Sequence, residues 1–235
     1  MTALTLQLPP NLKLTDEEFE QIVAVNKDLR LELTQVETAE SNVAIIILAA
    51  GASTRMGTPK QLLPYQGGSL LHHTIESAIA SVCKPVIVVL GANAQHIRSE
   101  VTQPSVQVVE NPQWNLGMSA SIRSGILSLS TSKSVDAVVI AVCDQPFLSS
   151  EIINLLVEAY HSSGKTIVAS QYAETLGVPA LFSHIFFSEL AALGETVGAK
   201  HLINRHLNEV FCVPFPLGAV DIDTPKDYEQ LQATI

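Results

Sequence analysis

Apolar runs of strand length alternate with segments of helical period from residue 43 onward, and this alternation is what most constrains the fold. The apolar runs are VAIIILA (43–49), PVIVVLG (85–91), VQVVE (106–110), AVVIAVC (137–143), TIVAS (166–170) and EVFCVPF (209–215). Between them, apolar residues recur at helical spacing in SLLHHTIESAIAS (69–81), SASIRSGILSLS (119–130), SSEIINLLVEAYH (149–161) and VGAKHLINRHL (197–207). The pattern predicts an α/β fold with a mostly parallel central sheet. Because open sheets of this kind bind ligands at the carboxyl ends of their strands, the loops after the strands should carry the chemistry.

The composition narrows the class of protein. Hydrophobic residues make up 47% of the 235 residues, yet no apolar run approaches the roughly 20 residues of a membrane helix, so no membrane partner is expected. The net charge of −10 argues against a nucleic-acid partner, which requires clustered Lys and Arg. The first residues lack the pattern of a secretory signal, and three cysteines are typical of reduced, packed thiols; both features favour the cytoplasm.

The first 42 residues differ from the rest and are predicted to form an accessory acidic arm. They hold eight acidic and three basic residues, which is half of the net charge. The segment TDEEFEQIVAVNKDLRLEL predicts one helix, with Thr15 as its N-cap and Glu18 as the capping-box partner. LKLTDEEFEQ and NKDLRLEL resemble the opening of Uma2-type proteins, a restriction-endonuclease-like family. Since the resemblance ends near residue 34, before any nuclease core, it indicates a borrowed or fused leader.

The loop after the first apolar run, LAAGASTRMGTPKQLLP (48–64), has the features of an anion site. Gly51 and Gly57 permit close backbone approach, while Arg55 and Lys60 supply a planar fork and a point charge. The spacing matches neither the dinucleotide fingerprint nor the P-loop. A triphosphate suits the loop, although a glycine turn with two surface cations remains an alternative from the loop alone.

Carboxylates in two later segments suit a magnesium ion. Asp144 ends the run AVVIAVC, where a buried strand would deliver it to the phosphate loop; a turn or cap role is the alternative. In GAVDIDTPKDYEQL, Asp221 and Asp223 are two residues apart and share a face if the segment is extended. Thr224 and Pro225 begin a helix there, with Asp227 in its first turn; one of Asp221 and Asp223 is an alternative candidate for its cap.

A fourth segment, ENPQWNLGMSASIRSGI, places small and polar residues at a helix start. Gly117 and Ser119 offer backbone amides and a hydroxyl to a base, a phosphate or a second substrate. Asn111 is either a turn residue or a ligand to ribose or base, and Trp114 is interpreted as packing.

Taken in order, LAAGASTRMGTPKQLLP, NPQWNLGMSASI, DQP, GVPALF, GETVGAK and DIDTPKDY resemble the molybdenum cofactor cytidylyltransferases and their guanylyltransferase-like nucleotidyltransferase relatives. The resemblance covers about residues 43–233 and implies a Rossmann-like three-layer fold for a nucleotidyltransferase domain at 43–235. It implies Mg²⁺ as cofactor, and transfer of CMP from CTP to the phosphate of molybdenum-bearing molybdopterin with release of pyrophosphate. A molybdoenzyme or a chaperone is a further candidate partner.

The same resemblance implies that the nucleotide and its phosphates are held by Leu48, Ala49, Ala50, Gly51, Arg55 and Lys60. The predicted nucleotide-binding set also includes Ser53, Asn111, Gly117 and Ser119. The catalytic set is Arg55, Lys60 and Asp144, and the metal set is Asp144, Asp221 and Asp223. No protein nucleophile is required for this chemistry, and no Ser-His or Cys-His motif stands at a recognisable spacing.

Two departures from the family pattern leave other acceptors open. Glu195 follows Gly194, where the family usually has Gly-Asp, and Val178 precedes Pro179, where many relatives carry a polar residue. The alternatives are a sugar-phosphate or alcohol-phosphate nucleotidyltransferase and a catalytically silent nucleotide- or cofactor-binding module.

Overall fold

The computed structural model describes residues 42–129, 135–194 and 197–233. In these ranges the strands are β1 (Val43–Ala49), β2 (Pro64–Tyr65), β3 (Gly68–Ser69), β4 (Val86–Leu90), β5 (Val106–Glu110), β6 (Ala137–Val142), β7 (Ile167–Tyr172), β8 (Thr175–Ser183) and β9 (Val210–Pro214). The α-helices are α1 (Leu70–Ala80), α2 (Ala94–Ile97), α3 (Met118–Leu129), α4 (Ser150–Ser163), α5 (Phe187–Ala191), α6 (Ala199–Arg205) and α7 (Pro225–Gln232). The predicted helix after Thr15 and the likeness to Uma2-type proteins lie outside the described residues.

The central sheet has seven strands in the order β5-β4-β1-β6-β8-β7-β9, and it is mostly parallel as predicted. β1 pairs in parallel with β4 on one side and with β6 on the other. β8 is the exception, because it runs antiparallel to both β6 and β7. Each of the six predicted apolar runs overlaps one strand, and these six strands all run in the same direction. The antiparallel strand β8 was not predicted.

A two-residue turn explains the reversal at β8. Tyr172 pairs with Thr175, so only Ala173 and Glu174 connect β7 to β8. Both residues have positive φ, at 45° and 58°, as a type I′ hairpin turn requires. Asn-Gly and Asp-Gly are the usual sequence signals for this turn, and this chain carries neither at these positions.

The sheet is buried on both faces, which gives the three-layer arrangement. Alternate residues of β1 point to opposite sides: Ile45 and Ile47 join the core under α1 and α4, and Ile46 joins the core under α3, α5 and α6. Gly125 of α3 lies so close to β1 that an added Cβ would come within 2.8 Å of Ile46 Cγ2. Helix α3 therefore packs directly on the strand that leads into the first loop.

A third apolar cluster joins that loop to the carboxyl-terminal segment. It consists of Met56, Leu63, Tyr65, Leu70, Ile222 and Leu231. Helix α7 follows this segment, and Thr224 is its N-cap. The side chain of Thr224 accepts a hydrogen bond from Asp227 N, and Asp227 Oδ2 accepts one from Thr224 N. The predicted helix start at Thr224 and Pro225, with Asp227 in the first turn, is confirmed; the alternative of a cap at Asp221 or Asp223 is wrong, because Thr224 is the N-cap and Asp227 completes the capping box.

Across the described ranges, none of the helices combines the length and the apolar character that crossing a membrane demands.

Candidate active site

A cavity of about 550 Å³ opens above the carboxyl ends of β1 and β6. Its walls include the predicted residues Leu48, Ala49, Ala50, Gly51, Arg55, Lys60, Gly117, Asp144, Asp221 and Asp223. They come from four segments that are far apart in the sequence. The fold therefore brings most of the predicted site residues together at the edge of the sheet where ligands of open α/β sheets bind.

The backbone of the loop after β1 is held from inside by Gln61. This side chain is 1% exposed, and its Nε2 donates to the carbonyls of Ala49 and Gly51, both at 2.9 Å. Ser53 completes the support, because its Oγ accepts from Lys60 N at 3.1 Å and donates to Gln61 Oε1 at 3.3 Å. Ser53 therefore contacts the loop itself and lies outside the residues that line the cavity.

Lys60 lies between two carboxylates on the cavity wall. Its Nζ donates to Asp144 Oδ2 at 2.6 Å and to Asp223 Oδ1 at 2.8 Å, and Arg55 Nη2 donates to Asp223 Oδ2 at 2.9 Å. Burial alone would lower the pKa of Lys60, but the Asp144 charge and the hydrogen bonds to both carboxylates raise it above its ordinary value. Lys60 is thus a permanent cation, whereas Arg55, with 69% of its side chain exposed, can turn toward a ligand.

Asp144 and Asp221 retain carboxylate capacity that these cations do not use. Asp144 Oδ1 is buried and has no hydrogen-bond partner among the described residues. Desolvation by surrounding protein atoms, then repulsion from Asp144 and Asp223, raises the pKa of Asp221 to about 6. Repulsion between neighbouring carboxylates is relieved by a cation that binds both of them.

The donor set suits a hard divalent cation, although the described residues contain no preformed cluster of three or more ligands. Mg²⁺ is commonly held by one or two carboxylates together with substrate phosphates and water. Asp144 and Asp221 meet that requirement, while both oxygens of Asp223 already accept from Lys60 and Arg55.

Helix α3 begins at the opposite wall. Gly117 has a φ of 102°, which favours glycine, and it lines the cavity with Met118 and Ser121. Asn111 and Ser119 are 3% and 1% exposed and lie behind this wall.

The buried polar groups behind α3 are only partly paired. Asn111 Nδ2 donates to Ser121 Oγ at 3.1 Å and its Oδ1 accepts from Gln113 N, while Ser119 Oγ has no partner among the described residues. Asn111 therefore supports the wall through Ser121.

The lining residues that were not predicted from the sequence include Gln61, Gln145, Tyr172 and Trp114, the last having been interpreted as packing. Gln61 and Gln145 directly follow the predicted Lys60 and Asp144, so proximity to those residues was the available signal. Trp114 is 38% exposed and forms part of the cavity wall. The sequence gives no comparable signal for Tyr172, which reaches the cavity through the unpredicted hairpin.

A family model described as the MobA-like NTP transferase domain matches residues 45–210, well over half of the chain. The chain belongs to this family. It is therefore a nucleotidyltransferase-family protein, and the matched range contains the loop after β1, Asp144 and the wall at α3. Asp221 and Asp223 lie beyond the matched range.

Curated relatives carry different functions. The chain is 34% identical over 116 residues to nicotine blue oxidoreductase of Paenarthrobacter nicotinovorans, covering 49% of this chain and just 55% of that relative. It is 33% identical over 148 residues to the probable molybdenum cofactor guanylyltransferase of Rhodopirellula baltica, covering 62% and 69% of the two chains. These two relatives therefore carry different names, and the chain spans about half the length of the first.

A solved structure with a similar fold is that of Rv0371C from Mycobacterium tuberculosis H37Rv in complex with manganese. It is 27% identical, with a TM-score of 0.63, and the match covers 82% of this chain and 99% of that one.

Proposed function

We propose that this protein transfers CMP from CTP to the phosphate of molybdenum-bearing molybdopterin, with Mg²⁺ as cofactor and pyrophosphate as the second product. The observation that carries the proposal is the charge arrangement on the cavity wall. Two cations and three carboxylates from distant segments meet there, next to a glycine-containing loop. A polyphosphate and a divalent cation together complement that arrangement.

The proposed reaction needs no covalent intermediate with the protein. An oxygen of the acceptor's phosphate attacks the α-phosphorus of CTP, forming a new phosphorus–oxygen bond. The bond from the α-phosphorus to the oxygen that bridges to the β-phosphate breaks, and pyrophosphate leaves with its electron pair. The protein then contributes by positioning the two phosphates and by offsetting their charge.

Lys60 provides the fixed part of that charge and Arg55 the movable part. Lys60, held by Asp144 and Asp223, presents a permanent positive charge beside the loop amides. Arg55 is exposed and, within the part of the chain that the structure describes, forms an ion pair with Asp223 only, so it can exchange that partner for a phosphate. Both residues would stabilise negative charge on the phosphates as the α–β bond breaks.

Asp144 and Asp221 are the residues proposed to hold the metal. A bound Mg²⁺ would polarise the α-phosphate and neutralise charge on the leaving pyrophosphate. The manganese complex of Rv0371C supports use of a divalent cation in this fold. Magnesium is proposed because oxygen-only ligands suit it.

Cys143 does not fit the role of a nucleophile even though it lines the cavity. It is 3% exposed, and burial, followed by the charge of Asp144, raises the pKa of its thiol to about 12. A buried thiol that stays protonated is a poor nucleophile.

The choice of CTP rests on the resemblance of NLGMSAS, at the start of α3, to the cytidylyl branch. The guanylyltransferase from Rhodopirellula baltica makes GTP the competing nucleotide. Sugar phosphates and alcohol phosphates are the competing acceptors. The proposed catalytic unit is residues 43–235, and the proposed location is the cytoplasm, where its cysteines would stay reduced.

The deciding experiment measures pyrophosphate release from CTP, GTP and ATP with Mg²⁺ and purified molybdenum-bearing molybdopterin. The proposal predicts release that needs both nucleotide and acceptor and that is fastest with CTP. Equal or faster release with GTP would reassign the nucleotide, and release only with a sugar or alcohol phosphate would reassign the acceptor. Binding of CTP and Mg²⁺ without release from any acceptor would indicate a silent binding module.

A further inference from the structure

Gln145 connects three segments of the site through one buried amide. The side chain is 1% exposed and directly follows Asp144 at the end of β6. Its Nε2 donates to the carbonyl of Val178 in β8 at 3.1 Å and to the carbonyl of Gly218 at 2.9 Å. Both amide protons are therefore used to tie the end of β6 to distant backbone.

The contact with Gly218 matters because Asp221 follows three residues later. On the other side of Asp221, Ile222 N donates to the carbonyl of Asp144 at 2.9 Å. The segment that carries Asp221 is thus attached at two points to the pair Asp144-Gln145. One attachment is backbone to backbone, and the other depends on the identity of a side chain.

The oxygen of the same amide, in contrast to its two donors, forms no such hydrogen bond to the described backbone. Gln145 Oε1 is buried and has no hydrogen-bond partner among the described residues. An unpaired buried oxygen is unfavourable, and an apolar side chain of the same length would fill the space without it. The two donors are therefore the property that distinguishes glutamine at this position.

We infer that Gln145 is a positioning residue, which holds Asp221 beside Asp144 so that both carboxylates bind one divalent cation. The inference rests on the proposed function, because it assumes the metal site described there. Gln145 borders the cavity, and the role inferred for it is to hold the loop at Gly218 in place.

Titration of the full chain with Mn²⁺, without nucleotide, tests the inference. Gln145→Met keeps the length of the side chain and removes both donors. It should weaken Mn²⁺ binding by about ten- to a hundredfold, as is typical when partners of metal ligands are lost. Metal-free CTP binding, measured in parallel, should change less than about twofold; this separates positioning of the metal ligand from general loss of structure.

Ser170→Ala is the matched control. Ser170 lies outside the cavity lining, and its Oγ donates to the carbonyl of Pro179 in β8 at 2.7 Å, so the variant removes one buried hydrogen bond to β8 and leaves the tie to Gly218 intact. Mn²⁺ binding should stay within about twofold of the original chain. A loss equal to that in Gln145→Met would contradict a specific role for the Gly218 contact.

Gly218→Ala provides a second route if Gln145→Met does not fold. An added Cβ would come within 2.5 Å of Phe215 Cδ1, so the loop must shift while Gln145 stays intact. Mn²⁺ binding should again weaken. Unchanged Mn²⁺ binding in folded Gln145→Met would overturn the inference and leave the proposed metal site standing. If Gln145→Met does not fold, unchanged Mn²⁺ binding in Gly218→Ala would have the same consequence. Failure of the original chain to bind Mn²⁺ would overturn both the metal site and the inference.

Discussion

The ammonium group of Lys60 donates to Asp144 across a distance of 2.6 Å, joining the loop after β1 to the end of β6. The two side chains are only 13% and 21% exposed. Removing one member of such a pair leaves the other charge poorly compensated. The resulting loss of folding free energy is larger than that from losing a surface ion pair. The pair therefore organises the site before any ligand binds.

Lys60→Ala should weaken CTP binding and turnover together. The variant removes a fixed positive charge from the cavity wall and leaves Asp144 facing Asp221 and Asp223 without its main counter-charge. We expect turnover to fall by about a hundredfold or more, as for other losses of a group that stabilises developing charge. Calorimetric CTP binding and a pyrophosphate assay measure the two effects.

Lys165→Ala is the matched control for that variant. Lys165 Nζ donates to the carbonyl of Asn208 at an exposed position, outside the residues that line the cavity. Its removal should change both measurements by less than about twofold. Similar losses in the two variants would show that removal of any positive charge suffices, and that the position of Lys60 is unimportant.

Asp144→Asn and Asp221→Asn should each lower Mg²⁺-dependent turnover by orders of magnitude, because each keeps the size of the side chain and removes a charged metal ligand. Asp223→Asn should instead disturb Lys60 and Arg55, so it should weaken CTP binding more than Mg²⁺ binding. Asp136→Asn, outside the cavity lining, is the control. Normal turnover in Asp144→Asn, or in Asp221→Asn, would refute the shared site.

Alkylation at pH 8 should modify Cys212 before Cys83 and Cys143, and it should spare activity. Cys212 is exposed, whereas Cys83 and Cys143 are buried. Burial is the main reason that the pKa of each of these two thiols is raised to about 12. A thiol whose pKa lies four units above the pH is ionised in about one molecule in 10⁴, and the thiolate is the reacting form. Mass spectrometry locates the label, and the pyrophosphate assay follows activity. Early labelling of Cys143 with parallel loss of turnover would assign that thiol a role.

Removal of residues 1–40 should leave CTP binding intact, because each proposed site residue lies after Val43. The truncated chain keeps Asn42, whose carbonyl accepts from Asp136 N at 2.9 Å beside the start of β1. Calorimetry should give a CTP dissociation constant within about twofold of that of the full chain. A folded truncation that no longer binds CTP would show that the arm is part of the binding unit.

The parallel strands were predictable because their apolar runs are continuous. β1 and β6 are buried on both faces, so each residue in them is apolar and the signal is strong. β8 gave a weak signal because Gly177 and Pro179 interrupt its apolar run, and because Ala173 and Glu174 are unusual residues for its turn.

The charged residues of the site were predictable for a related reason. Asp144 stands where a buried strand ends, and Lys60 stands in the loop after another such strand, so topology brings them to one edge. Gln145 could not be found in this way. Its importance lies in two backbone carbonyls, 33 and 73 residues away, and no local pattern indicates such partners.

The reversal of β8 has a consequence for how proteins with this architecture diversify. Because β8 runs antiparallel to its neighbours, Val178 of β8 and Tyr172 at the end of β7 both line the cavity. These two residues belong to one β-hairpin, and its turn accepts insertions and exchanges more readily than buried strands do. The loop after β1, in contrast, is held to the end of that strand by Gln61. Selection could therefore change this hairpin, and with it the proposed acceptor, while the loop proposed to bind the triphosphate stays the same.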